Sequence, residues 1–246
     1  MMADSTPKSA DTELDAAPGN EPSPGAATLR LLGAAFLVQA IGSAVSGLVL
    51  APVDLLANSA PDDMVGTMSD IADGESLLRA SIVGEMVTAA GIVALGTLLF
   101  AVLRRHGRNI AAVALGLYLV EAALLAMREV LVFALWATSE QAATNGVTEA
   151  LTAQAAMLYE AQAFAYSLHT LVFAAGATIF YILFARSGLL PRVLVGLGLV
   201  AAPLALIGQA LVVLGVDVPL YVFIPNLPFE LGAGLWLVLR GHRIER

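Results

Sequence analysis

Seven side chains that are expensive to place in an apolar setting interrupt the oily stretches of this chain: Glu85, Glu121, Arg128, Glu160, His169, Gln209 and Glu230. Glu129 and Gln39 are companions of the same kind. Arg128 has the charge to hold a carboxylate. Glu121 stands seven residues before it, two helical turns away and so on the same helix face. The expectation is that Arg128 is held by an acid from another helix, Glu85 or Glu160. A buried charge of this kind costs on the order of 2.5–3.5 kcal/mol at the centre of a bilayer on insertion scales, so each needs a partner or a task.

Other chemistry is missing. The chain has no Cys, which excludes disulfides, thiolate metal sites and Cys nucleophiles. No Gly-rich phosphate loop, H-E-x-x-H pair or G-x-S-x-G elbow is present. Of the three His, His106 and His242 fall in polar segments far along the chain from His169, so a paired-His haem or zinc site has no support. Basic residues form no nucleic-acid footprint. Neither a cofactor nor a catalytic arrangement is expected, and an enzyme is the least supported of the functional classes.

These residues must be positioned by the surrounding apolar runs. Of 246 residues 59% are hydrophobic and 13% charged, against roughly 45–50% and about 25% in ordinary soluble domains. A spanning helix needs about 20 mostly apolar residues. Six runs qualify: 31–50, 77–103, 110–137, 157–185, 193–214 and 218–239. The sixth is interrupted by Pro225 and Pro228. The fold expected is therefore all-α, a six-helix transmembrane bundle over 29–246, preceded by a disordered acidic tail over 1–28. That tail is rich in Asp, Glu and Pro and lacks the basic start and apolar core of a signal peptide, so the first run is expected to remain as an anchor.

Orientation follows from the short loops. Lys8, Arg30, Arg104, Arg105, Arg108, Arg186, Arg192, Arg240, Arg243 and Arg246 all fall on one side of a six-span chain, and only Arg79 and Arg128 of the twelve basic residues do not. The alternate loops carry Asp54, Asp62, Asp63, Asp70, Asp73, Glu75, Glu140, Glu149 and Asp217. Both termini are thus expected in the cytoplasm, with the chain in a bacterial inner membrane and lipid as its main partner. Gly188 suits a helix C-cap, Pro191 a helix start and Pro203 a kink. Met64, Met68 and Ile71 are spaced for a short helix lying on the outer surface within 61–76. Small residues, among them Gly42 with Ser46, Ser43 with Gly47, Gly84 with Gly91, Gly196, and Gly232 with Gly234, are expected to let helices pack closely.

Counted from the basic end at about 1.5 Å per residue, Glu85, Arg128, His169 and Gln209 lie roughly 25–29 Å along their helices. Glu121 lies nearer the middle and Glu160 nearer the outer edge. Four helices therefore bring polar groups to similar depth, in the outer half. Two readings stand side by side: helix-to-helix glue, or a pocket for a small or lipophilic molecule that the protein binds or moves. Glu230 has its own structural reading. If the sixth helix restarts at Pro228, the carboxylate sits in a first turn, where free amides and the helix dipole favour it. The alternative is a broken helix that forms an ion or substrate site.

Two stretches carry a resemblance. One reads YILFARSGLLPR from Tyr181 to Arg192, the other IPNLPFELGAGLWLVLRG near the end; LLRASIVGEM, Leu77 to Met86, opens the second run. Together they resemble the bacterial domain-of-unknown-function family 4386. Its loop pattern is matched by Arg186, Ser187, Gly188, Leu190, Pro191 and Arg192, and its late pattern by Pro228, Glu230, Leu231, Leu235, Trp236, Leu237, Arg240 and Gly241. Arg79 and Glu85 fit its Arg and acid in the second run. The resemblance implies a six-helix bacterial membrane protein and brings no activity with it. The acidic tail departs from the short N-terminus usual in that family.

Overall fold

The computed structural model describes residues 25–50 and 62–240, with side chains 43–50 and Leu220 set aside. The acidic tail up to residue 24, Lys8, Asp54, Arg243 and Arg246, and the packing of Ser43, Ser46 and Gly47 lie outside the described residues. The described elements are all helical: α1 (Ala26–Leu50), α2 (Met64–Asp73), α3 (Glu75–Leu103), α4 (Arg108–Asn145), α5 (Glu149–Ser187), α6 (Arg192–Val213) and α7 (Asn226–Arg240). Short 3-10 turns follow α3 and precede α7.

Four of these helices, α3 to α6, are long and apolar enough to cross a bilayer. Their outward faces carry large apolar side chains, among them Val87, Val130, Val200 and Ile207, as lipid contact requires. The described apolar part of α1 is shorter, Ala26–Gly42. Over the expected sixth run, 218–239, the helix is shorter: α7 is a helix of 15 residues that begins after Pro225, is preceded by irregular chain and takes Pro228 in its first turn, where no N–H is missed.

The helices pack as a ring. α1 touches α3, α3 touches α4, α4 touches α5, α5 touches α6, α6 touches α7, and α7 closes on α1. Two glycines make the closure: a Cβ on Gly33 would lie 2.6 Å from the Gly234 carbonyl oxygen. Gly234 was among the small residues expected at an interface, whereas Gly84 and Gly196 have nothing within 4 Å of an added Cβ. The α5–α6 corner follows its local chemistry, with Arg186 in the last turn of α5, Gly188 left-handed at φ 67° and Pro191 as N-cap of α6.

Along the ring axis the interior has three layers. At the basic end, near Arg104, Arg186 and Arg240, Phe36, Tyr118, Phe180, Tyr181, Phe184 and Phe229 fill the core. At the acidic end α2 lies across α3, α4 and α5, burying Met64, Met68 and Ile71 against Leu78, Val132, Leu135, Ala155 and Tyr159. The short helix expected within 61–76 is therefore present, but its apolar face meets protein. Such a site exists because α4 and α5 outrun their apolar segments. α4 continues to Asn145 and α5 begins at Glu149, where Thr148 accepts a hydrogen bond from the Leu151 amide. Thr138, Ser139 and Ala142 of this extension are buried. Between the two plugs lies the third layer, which is hollow and mixes apolar with buried polar side chains.

Candidate functional site: a chamber inside the ring

The middle layer is a cavity of about 520 Å³. Every helix of the ring contributes to it, α3 to α6 at helical spacing. α3 presents Glu85, Thr88, Ile92 and Leu95; α4 presents Tyr118, Glu121, Leu125 and Arg128; α5 presents Tyr166, His169, Thr170 and Phe173. Gln39 comes from α1, Ala205, Gln209 and Val212 from α6, and Asn226, Leu227 and Glu230 from α7. Val218 and Phe223, in the chain before α7, complete the wall. Irregular backbone at this depth is tolerable where it lines a cavity instead of meeting lipid.

Arg128 is the best-held polar group. Its relative exposure is 1%, and its Nη1 donates to Glu129 Oε1 at 2.8 Å. Nε donates to Gln162 Oε1 on α5 at 3.0 Å, and the guanidinium lies 5.2 Å from the Tyr166 ring centre. The planar fork of Arg suits this combination of a carboxylate, an amide and an aromatic face. Two further bonds tie helices together. His169 Nδ1 lies 3.2 Å from the Glu121 carbonyl oxygen, and Gln209 Nε2 donates to the Ser167 carbonyl at 3.2 Å. Both fasten α5, first to α4 and then to α6.

Other groups on the wall are unspent. Glu121 is 3% exposed, and its Oε2 is buried without a hydrogen-bond partner. The same is true of Asn226 Oδ1. Asn226 and Glu230 are one turn apart on α7 and share a face.

Six of the seven residues singled out from the sequence line the chamber, and Glu160 does not. Glu160 is exposed, because Gln162, only two positions on, occupies the inward face and two helical steps turn the chain by about 200°. Of the two acids expected to hold Arg128, Glu160 points away; Gln162 and Glu129 bond to the guanidinium, and Glu85 lines the same chamber. Arg79 pairs instead with Glu75 at 2.8 Å and covers the Trp136 ring. The first-turn reading of Glu230 is also corrected. α7 starts at Asn226, so Glu230 is its fifth residue. The Asn226 and Leu227 amides already donate to Phe223 and Ile224, and Pro228 has no N–H. Little is left there for a carboxylate to cap, and Glu230 faces the chamber.

Sequence reasoning passed over Gln162, Tyr166, Tyr118 and Asn226. The signal for two of them was available: Gln162, Tyr166, His169 and Phe173 stand at i, i+4, i+7 and i+11, one face of α5. Tyr118 was less legible, because its place depends on Gly96 of α3 and Gly176 of α5, whose added Cβ atoms would fall 2.9 and 2.8 Å from it.

The family described as Domain of unknown function (DUF4386) matches residues 31–241, which include nearly all of the ring. No curated protein and no solved structure matches the chain.

Proposed function

This chain belongs to the DUF4386 family, and we propose that it is a multi-pass protein of the bacterial inner membrane that binds a small amphiphilic molecule in the chamber of its ring, as a receptor or carrier. One observation carries the reading: a cavity of about 520 Å³ at mid-depth is walled by both apolar side chains and buried polar groups, including acceptors with no partner. Ligand sites in proteins have volumes of roughly 300–1,000 Å³ and the same mixture of apolar wall and few polar groups. Glue alone would leave such groups paired across helices. In the proposed topology α1 and the broken α7 segment complete six crossings, and the basic end faces the cytoplasm.

A second reading has its own support. The bonds made by Arg128, His169 and Gln209 all fasten neighbouring helices, as a scaffold without ligand would require. A thermal-stability screen of the detergent-purified protein separates the two. Under the chamber reading one compound class raises the unfolding temperature, and Ala205→Phe and Thr88→Phe, which fill the cavity, abolish the effect while the protein stays folded. Stabilisation that survives both substitutions, or no stabilising class at all, would leave the scaffold.

A further inference from the structure

Two donors on the wall of the chamber are bonded within the protein: Arg128 gives its N–H groups to Glu129 and Gln162, and Gln209 gives its amide to the Ser167 carbonyl. Two acceptors on the same lining are not. Glu121 Oε2 and Asn226 Oδ1 are both buried and unbonded, on helices that face each other across the same cavity. A buried acceptor without a donor is unfavourable, and each such group in a folded protein asks for an explanation. Both border one cavity, and a single molecule that donates to each would explain the two together.

The charges agree. The Arg128 guanidinium is paired with Glu129, and Glu85, Glu121 and Glu230 put three further carboxyl groups on the lining. An anionic ligand would meet carboxyl groups and bare acceptors, a poor match. A cation would meet complementary groups and, beside them, the aromatic side chain of Phe173. The rest of the wall is apolar, which suits a carbon body.

Resting on the chamber as a binding site, we infer that its ligand is a protonated primary or secondary organic amine with a compact apolar body, whose N–H groups donate to Glu121 Oε2 and Asn226 Oδ1. Charge-assisted hydrogen bonds to a carboxylate are the strongest that such a wall can offer.

Four probes sharing one carbon body test this on the full chain in lipid nanodiscs: 3-phenylpropylamine, its N,N,N-trimethyl analogue, 3-phenylpropanol and 3-phenylpropanoate. Affinity is read by equilibrium dialysis and by thermal shift. The amine should bind at least about tenfold more tightly than the alcohol, a difference of one charge-assisted bond. The carboxylate should bind more weakly than the alcohol, and the trimethyl analogue, having no N–H, should lose most of the amine's advantage. Glu121→Gln should erase the preference for amine over alcohol, and Asn226→Leu should reduce it. Should either variant fail to fold, the ranking of the four probes on the unaltered protein still decides. If alcohol and carboxylate bind as well as the amine, and Ala205→Phe abolishes all of them, the amine inference is overturned and the chamber stands. An equally tight trimethyl analogue overturns hydrogen-bond donation. If none of the probes binds, a chamber filled by water alone is the better account and the inference fails.

Discussion

Arg128 is held by its own neighbour in the chain: Nη1 lies 2.8 Å from Glu129 Oε1, with the two side chains 1% and 4% exposed. Adjacent residues on a helix point about 100° apart, so the pair spans two faces of α4. Through Gln162 it also reaches α5. The arrangement neutralises a charge locally and lets the guanidinium anchor the α4–α5 contact.

Arg128→Met should therefore be costly in a particular way. It leaves the Glu129 carboxyl buried without its cation, and breaking a buried pair by one partner costs about 3–5 kcal/mol. Arg128→Met combined with Glu129→Leu removes both charges and should regain the larger part of that loss. Unfolding titrations in mixed micelles measure both. A double variant no more stable than Arg128→Met alone would mean that Glu129 is not the partner that matters.

The sequence was most informative where lipid imposes the rule. α3 to α6 are legible because only a long, internally bonded apolar helix crosses hydrocarbon, and hydropathy finds such runs. It was least informative where the rule lapses. The polar turns Thr138–Asn145 and Glu149–Ala156 read as loop, but they are helical because α2 and each other supply burial. In the chamber, depth could be counted from the basic ends, and six of the seven residues singled out lie on its lining. Depth alone does not separate Glu160 from Gln162; rotation about α5 does, since Gln162 shares a face with Tyr166 and His169 and Glu160 does not. Glu230 depended on which residue begins α7, a matter of two positions settled by the Phe223 and Ile224 carbonyls.

Closure of the ring rests on two backbones meeting without side chains. A Cβ on Gly33 would lie 2.6 Å from the Gly234 oxygen and 2.8 Å from the Val238 nitrogen. Neither atom can move aside as a side-chain tip can. Gly33→Ala should push α1 from α7 and lower stability by about 1–3 kcal/mol, the usual cost of overpacking. Gly84→Ala, with nothing within 4 Å, should be neutral or slightly stabilising, since Ala favours helix. Thermal unfolding of the pair provides the check, and equal effects would show that the α1–α7 contact is not tight.

The plug made by α2 predicts a pattern of accessibility. Ile71 and Met68 are buried and Val65 is 45% exposed on the same short helix. Because the chain has no Cys, single cysteines report cleanly. Val65→Cys should react quickly with a water-soluble maleimide and Ile71→Cys slowly. Adding Met68→Asp to Ile71→Cys should raise its rate by an order of magnitude or more, because a buried unpaired carboxylate would lever α2 off α4 and α5. Fast labelling of Ile71→Cys without Met68→Asp would show that α2 lies on the surface, as an interfacial helix would.

Topology offers the sharpest test of the whole arrangement, because a single inversion is enough to refute it. Gly107, Gly146 and Gly188 end successive helical segments with φ of 152°, 93° and 67°, so each marks a turn where a reporter can be attached with little damage. Gly107 and Gly188 are flanked by Arg105, Arg108, Arg186 and Arg192; Gly146 lies between Glu140 and Glu149. Basic residues in short loops resist translocation, so the first two sites should stay in the cytoplasm and the third should cross. Alkaline phosphatase fused after Gly146 should be active and fusions after Gly107 and Gly188 inactive, with a cytoplasmic fluorescent reporter giving the reverse. Gly107 and Gly188 are separated by α4 and α5, two long apolar helices packed side by side. If those two sites report opposite sides, one of these helices does not cross, and neither the ring nor its chamber could exist in the membrane.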